Sequence, residues 1–274
     1  MRIQWLLLFL VMTCVAFAQP PSIANGGVLN GASFATGQPI TVGSLVSIFG
    51  SNLASALAQA DTIPLSTNLG GVTVQWANGG TTINAPLVFV AGSQVNAQVP
   101  WELVPAGATQ NVSVTVSANG TTSAPAQVTV GPFSPGIFTA GPPTFYAIAQ
   151  NVDGTLAQAA GSIPGLTTHP VKVGDAIIIY ATGLGAVDFP PPDGAIPPLP
   201  APSANGLVNT LTPPVVTVGG ISAQVLFSGL QPQFVGVNQV NIVIPNVPPG
   251  NAVPLQIQMG GITSPSNVTI AVSQ

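Results

Sequence analysis

Apolar and polar residues alternate in short runs along this chain, and one run is written twice. QVNAQVP (94–100) places Val95, Ala97 and Val99 on one face and Gln94, Asn96 and Gln98 on the other. QVNIVIP (239–245) does the same with Val240, Ile242 and Ile244. A period of two predicts a half-buried β-strand. Pro100 and Pro245 end each strand, because proline has no N–H to give to the ladder. A Pro/Gly turn follows both copies.

The same alternation recurs elsewhere. Val112, Val114 and Val116 alternate with Ser and Thr, Asn119-Gly120 supplies a hairpin turn, and Val128 and Val130 resume the pattern. Leu255, Ile257 and Met259 alternate with Gln, Gly260-Gly261 turns, and Val268, Ile270 and Val272 return. Val72, Val74 and Trp76 form a further strand, with Trp76 expected in a core. LVFV (87–90) and AIIIYA (176–181) are continuous apolar runs, expected either to be covered on both faces or to lie at a sandwich centre. FYAIAQNVDGTLAQ (145–158) reads as a hairpin turning at Asp153-Gly154. The best helical candidate, residues 54–60, is short and sits in a loop.

These pieces fall into two copies. VGSLVSIFGSNL (42–53) matches VGDAIIIYATGL (173–184), VTV at 72–74 matches VTV at 216–218, and the two Q-V-N runs and the two closing hairpins follow. The first pair is offset by 131 residues and the Q-V-N pair by 145, so the second copy carries about 14 extra residues, the Pro-rich loop 188–206. The chain is expected to be all-β, two tandem immunoglobulin-like β-sandwich domains. The boundaries predicted are a signal peptide at 1–18, domain 1 at 19–131, a Pro/Gly linker at 132–144 and domain 2 at 145–274.

Composition sharpens this picture. Charged residues are 3% of the chain, against about 25% in an average protein. Phosphate neutralisation needs clustered Lys and Arg, so nucleic acid is excluded as a partner. MRIQWLLLFLVMTCVAFA (1–18) combines Arg2, an apolar run and an Ala16-Phe17-Ala18 cleavage site, and is shorter than the ~20 residues a membrane span needs. Cleavage there leaves no stable span and predicts a secreted, extracellular or cell-surface protein. It removes Cys14, so the mature chain holds itself together by its cores and not by disulfides.

Few residues carry chemistry. His169 is the single histidine and is read as a loop residue before Pro170; a metal site needs three or four ligands. Asp153, Asp175, Asp188 and Asp193 sit at turns, where aspartate bonds to local backbone. No catalytic residue, metal ligand or cofactor site is predicted. Trp101, beside Glu102 at a strand end, is the possible ligand contact: its ring either stacks on a sugar or seats a partner, or packs against the other domain or Phe133 and Phe138. Asn111, Asn119 and Asn267 stand in N-x-S/T sequons.

GSLVSIFGSNL, the V-T-V strand, the V-P stop and the NGTTS hairpin resemble the IPT/TIG class of immunoglobulin-like domains. LNGASFATGQPITVGSLVSIFGSNLA, APLVFVAGSQVNAQVPWEL, SPGIFTA, QNVDGTL and VGDAIIIYATGLGAV together resemble the Solibacter-type uncharacterised C-terminal domain family of exported acidobacterial proteins. That resemblance covers nearly all of the mature chain and implies adhesion, partner contact or spacing rather than a shared active site. The expected function is a secreted, non-enzymatic structural, adhesion or protein-interaction module of the cell surface. A carbohydrate-binding module using Trp101 is the alternative, and an extracellular hydrolase the remote one. The expected partner is an extracellular protein or polysaccharide. With so few titratable groups, the melting temperature is expected to change by less than about 10 °C between pH 7 and pH 3.5, measured by circular dichroism.

Overall fold

The structure, a computed structural model, describes residues 19–274. The expected signal peptide at 1–18 lies outside the described residues. The described chain forms four β-sheets that make two tandem immunoglobulin-like sandwiches. In the first, one sheet runs Ser22–Asn30, Leu45–Ser51, Gln94–Gln98, Leu87–Ala91, Ala58–Gln59. The facing sheet runs Ala126–Val130, Gln110–Ala118, Val72–Asn78, Thr81–Asn84. The second sandwich repeats this plan: Ala176–Thr182 and Asn238–Val243 are central in one sheet, and Thr269–Ser273, Gly250–Met259 and Val215–Val218 form the other.

The duplicated sequence folds in a duplicated register. Val46 lies opposite Ala97 and Ile48 opposite Val95. In the second copy Ile177 lies opposite Ile242 and Ile179 opposite Val240. A one-residue slip in either pair would turn every apolar side chain to the outside, so burial of one face pins the pairing. Val95, Ala97, Val240 and Ile242 are all fully buried, as is Trp76. Each copy closes its own core, one from Val28 to Val130 and the other from Ile137 to Val272. The hairpin at Asn119-Gly120 has positive φ at both residues, the geometry that suits the twist of the flanking strands.

The structure refines the reading at three places. Residues 132–144 are no free linker: Gly136–Ile137 pairs with Ala176–Thr182, and Ile137 is fully buried in the second core. The apolar side chain anchors what the Pro/Gly content suggested was a tether. AIIIYA is buried on one face, through Ile177, Ile179 and Ala181, while Ile178 and Tyr180 on the other face are half-buried. LVFV likewise buries Leu87 and Val90, with a register shift between Leu87 and Phe89. Ala176–Thr182 thus meets the sandwich-centre alternative, lying inside its sheet between Ala149–Asn151 and Asn238–Val243 with its second face only half-covered. Ile242→Ala is expected to cost about 2–5 kcal/mol by leaving a cavity under the central strand. Urea unfolding checks this, with a lower midpoint and an unchanged slope.

Candidate functional site

The two sandwiches meet at a junction built from uncharged polar groups. Asn30 Nδ2 donates to Ser134 O at 2.7 Å, while its Oδ1 accepts from the N–H groups of Ala32 and Ser33. The Thr182 hydroxyl accepts from Leu45 N–H at 3.0 Å and donates to Gly236 O at 2.7 Å. Asn30 and Thr182 are buried. A buried polar group without a partner costs about 1–3 kcal/mol, so these atoms fix where the halves sit. Gly236 lies flat against the Leu45 side chain and Gly43 O.

The Pro-rich loop 188–206 straps across this junction. Gly194 N donates to Gln98 Oε1 at 2.7 Å, and Gly194 O accepts from Leu65 N–H at 2.8 Å. Asp193 Oδ1 accepts from Trp101 N–H at 2.9 Å. Gln98 falls on the polar face of its strand and yet is fully buried, because the strap lies on it. Its Nε2 reaches Gly43 O at 3.3 Å. Gly194 has φ +76°, and a Cβ there would meet Leu65 O at 2.9 Å and Pro86 Cβ at 3.2 Å. No other residue type fits the position without displacing the strap.

Trp101, the predicted ligand contact, sits inside this junction. It is partly buried, and its six-membered ring lies so close to Gly43 that any Cβ there would overlap it. It packs against a small cluster of the second half, Val187, Ala201, Val208 and Leu230. Its Nε1 is buried without a hydrogen-bond partner. Glu102, next in the chain, is exposed. Burial pushes the Asp193 carboxyl up to about 6; the bond from Trp101 N–H opposes the rise and the Glu102 carboxylate adds to it. Sequence reading singled out Trp101 and Glu102 and missed Asn30, Gln98, Thr182 and Gly194. A signal was present in the repeat. Gln98 corresponds to Val243 and Trp101 to Asn246, so both break the copy where the second half docks.

A second cluster joins residues that sequence reading kept apart. His169 Nε2 meets Asp153 Oδ2 at 2.8 Å, and His169 Nδ1 meets Pro170 O at 2.9 Å. Each ring nitrogen faces an acceptor, which favours the imidazolium, while Asn151 Nδ2, a donor, stands 3.5 Å from Nδ1. The Asp153 bond, then Pro170 O, raises the His169 pKa above 6.5. The His169 bond, then Thr155, lowers Asp153 to about 2. His169 and Asp153 thus form an exposed pair that strengthens as the ring takes up a proton. Among the described residues it is the one ion pair.

A cavity of about 480 Å³ opens where Ser22–Asn30 and Ala126–Val130 form the free edges of the first sandwich. Ala24, Gly27, Gln127 and Thr129 line it with Ile262 of the second half, and no charged side chain does.

No protein-family model and no curated protein matches the chain. Among solved structures it is similar to SGBP-B of the Bacteroides ovatus mixed-linkage glucan utilization locus, in complex with a mixed-linkage heptasaccharide, at 13% identity and TM-score 0.35. That match covers 87% of this chain and 45% of SGBP-B, so the chain spans less than half of that protein. It is also similar to the tandem Ig repeats of Dlar, at 13% identity and TM-score 0.23 over 93% of this chain and 99% of that one. The D00-D0 domain of intimin matches at 15% identity and TM-score 0.20, over 87% and 97%.

Trp101→Ala is expected to cost about 3 kcal/mol, the low end for a buried tryptophan because the ring is only partly covered. Small-angle scattering should show a longer, looser particle. The ion pair gives stability a direction with pH. Asp153 contributes above 3.8 and its share is lost as pH falls towards about 2. His169 contributes fully below 6.5 and its share is lost as pH rises through its raised value. The pair therefore contributes most between about pH 4 and 6.5, and Asp153→Asn should flatten both limbs of a melting-temperature profile.

Proposed function

We propose that this chain is an exported, non-enzymatic interaction module of the cell surface that holds two immunoglobulin-like sandwiches at a set spacing. The observation that carries this reading is the strapped junction, where Gln98, Trp101 and Leu65 of one half bind Asp193 and Gly194 of the other. Two domains joined only by a tether move freely by default; here buried hydrogen bonds oppose that. The His169–Asp153 geometry and the sparse charge favour a non-catalytic role. The apolar residues 1–18 with their A-x-A site favour export. Within the immunoglobulin-like class we assign the chain to the IPT/TIG type and to the Solibacter-type C-terminal family, on the motifs quoted above.

Binding of a neutral polysaccharide is the second reading. The uncharged 480 Å³ groove favours it, since amide and hydroxyl side chains beside small apolar ones suit a sugar without charge. In this reading Glu102 keeps an exposed edge for a ligand, while Trp101 serves first as a plug between the halves.

Co-sedimentation of residues 19–274 with envelopes of the host and with insoluble polysaccharides separates the two. The leading reading expects retention on envelopes that protease treatment of the envelopes abolishes. Retention on one polysaccharide, lost in Gln127→Ala with the fold intact, would replace it by the second.

A further inference from the structure

The two copies treat the same sheet corner differently. Ser22 and Ile23 lie opposite Ser51 and Gly50, and pairing resumes at Val28 opposite Ile48. In the second copy Gly136 and Ile137 lie opposite Thr182 and Ala181, and pairing resumes at Ala149 opposite Ile179. Between these points the first copy has residues 24–27 and the second has residues 138–148. The longer segment makes a hairpin, with Ile148 N–H donating to Phe138 O at 2.7 Å, and its returning arm reaches the facing sheet. There it runs parallel to Thr269–Ser273: Ala147 N–H donates to Thr269 O at 2.9 Å, and Thr269 N–H donates to Phe145 O at 3.3 Å. Gln158 Nε2 also donates to Thr269 O, at 3.0 Å, and Ala147 is fully buried.

The first copy leaves the matching slot open. Ile40 pairs parallel with Val130 as Val171 does with Val272, so Gln127 stands where Thr269 stands in the second copy. Thr129 O accepts from Ile40 N–H, and Gly131 N–H donates to Ile40 O. Backbone groups on one side of a strand belong to alternate residues. Gln127 N–H and C=O therefore point away from Gln110–Ala118 and into the 480 Å³ groove, where no described residue takes them. Ala126–Val130 has neither a lysine nor a proline to guard this edge against pairing. Ala24, Gly26 and Gly27 line the opposite wall and are too small to fill the slot.

We propose that the edge groove of the first sandwich captures an extended, uncharged segment of a partner protein, which adds to Ala126–Val130 as a parallel strand through Gln127 N–H and C=O. This mode of capture rests on the leading reading, that the chain is a protein-interaction module, and names how the partner is held. Residues 145–147 give the form of the occupant: main-chain bonds supply the grip, and a small residue faces inward where Ala147 lies. A charged side chain would find no counter-charge, because no charged residue lines the groove.

A synthetic peptide of residues 143–150, PTFYAIAQ, is the probe, since this segment fills the slot of the second copy. Fluorescence anisotropy of the labelled peptide, titrated with residues 19–274, should show saturable binding. Gln127→Ala keeps the backbone groups and should bind within about twofold of the wild type. Gln127→Pro removes an N–H that takes no part in the ladder and should weaken binding at least about tenfold. A peptide N-methylated at the Ala147 nitrogen should lose at least about tenfold on the wild-type chain, so the test stands even where Gln127→Pro fails to fold. Absence of saturable binding, or equal affinity for the methylated peptide, overturns the proposal. So does a loss in Gln127→Ala as large as in Gln127→Pro, which would place the contact on the side chain. Protease-sensitive retention on host envelopes without peptide binding overturns strand capture alone and leaves the leading reading standing. Peptide binding without that retention does the reverse.

Discussion

A buried amide must find partners, and Gln98 finds one of its two across the junction. Its side chain is shut away from water on the face of a strand that would otherwise be wet. Gly194 N–H and Gly43 O take its oxygen and its nitrogen. Removing the strap would leave the group dry and unpaired, or wet in a different arrangement of the halves. The same holds for Thr182 and Asn30, so the relation between the sandwiches is set by a few directional bonds rather than by area alone.

This is how a protein with almost no charge specifies an interface. Salt bridges across the junction are not available to a chain with one lysine beyond residue 18. Neutral donors and acceptors replace them, and they bring direction without the desolvation cost of a buried ion. The carboxyls that do appear are placed unequally. Asp153 is exposed and paired with an imidazolium, so it stays ionised; Asp193 is half-buried beside another acid, so it resists ionisation. Two aspartates at similar-looking turns thus differ because of what the rest of the chain brings to them.

The repeat explains both the architecture and its asymmetry. Each copy closes its own core on the same strand register, so each sandwich is complete in itself. What ties them is where the copies diverge: the added strap, Gln98 in place of a valine and Trp101 in place of an asparagine. Trp101 packs against the core of its own copy and against the second half as well. Its ring fills the space between Gly43 and the cluster of Val187, Ala201, Val208 and Leu230.

The period-two patterns, the Asn119-Gly120 turn and the twofold repeat were legible from the residues alone, because strand alternation and turn chemistry are local and act within a few positions. The cores followed from them: Val95, Ile242 and Trp76 are buried as the alternation requires. Local patterns left open which polar groups stay wet. Gln98 and Asn96 look alike in sequence, and only the strap, arriving from 96 residues further along, buries the first. In the same way Asp153 and His169 become a pair only once the sheets bring them together. Sequence by itself determined the strands and the cores; tertiary structure decided the partners of the polar groups, because hydrogen bonds and proton affinities depend on neighbours that no local pattern names.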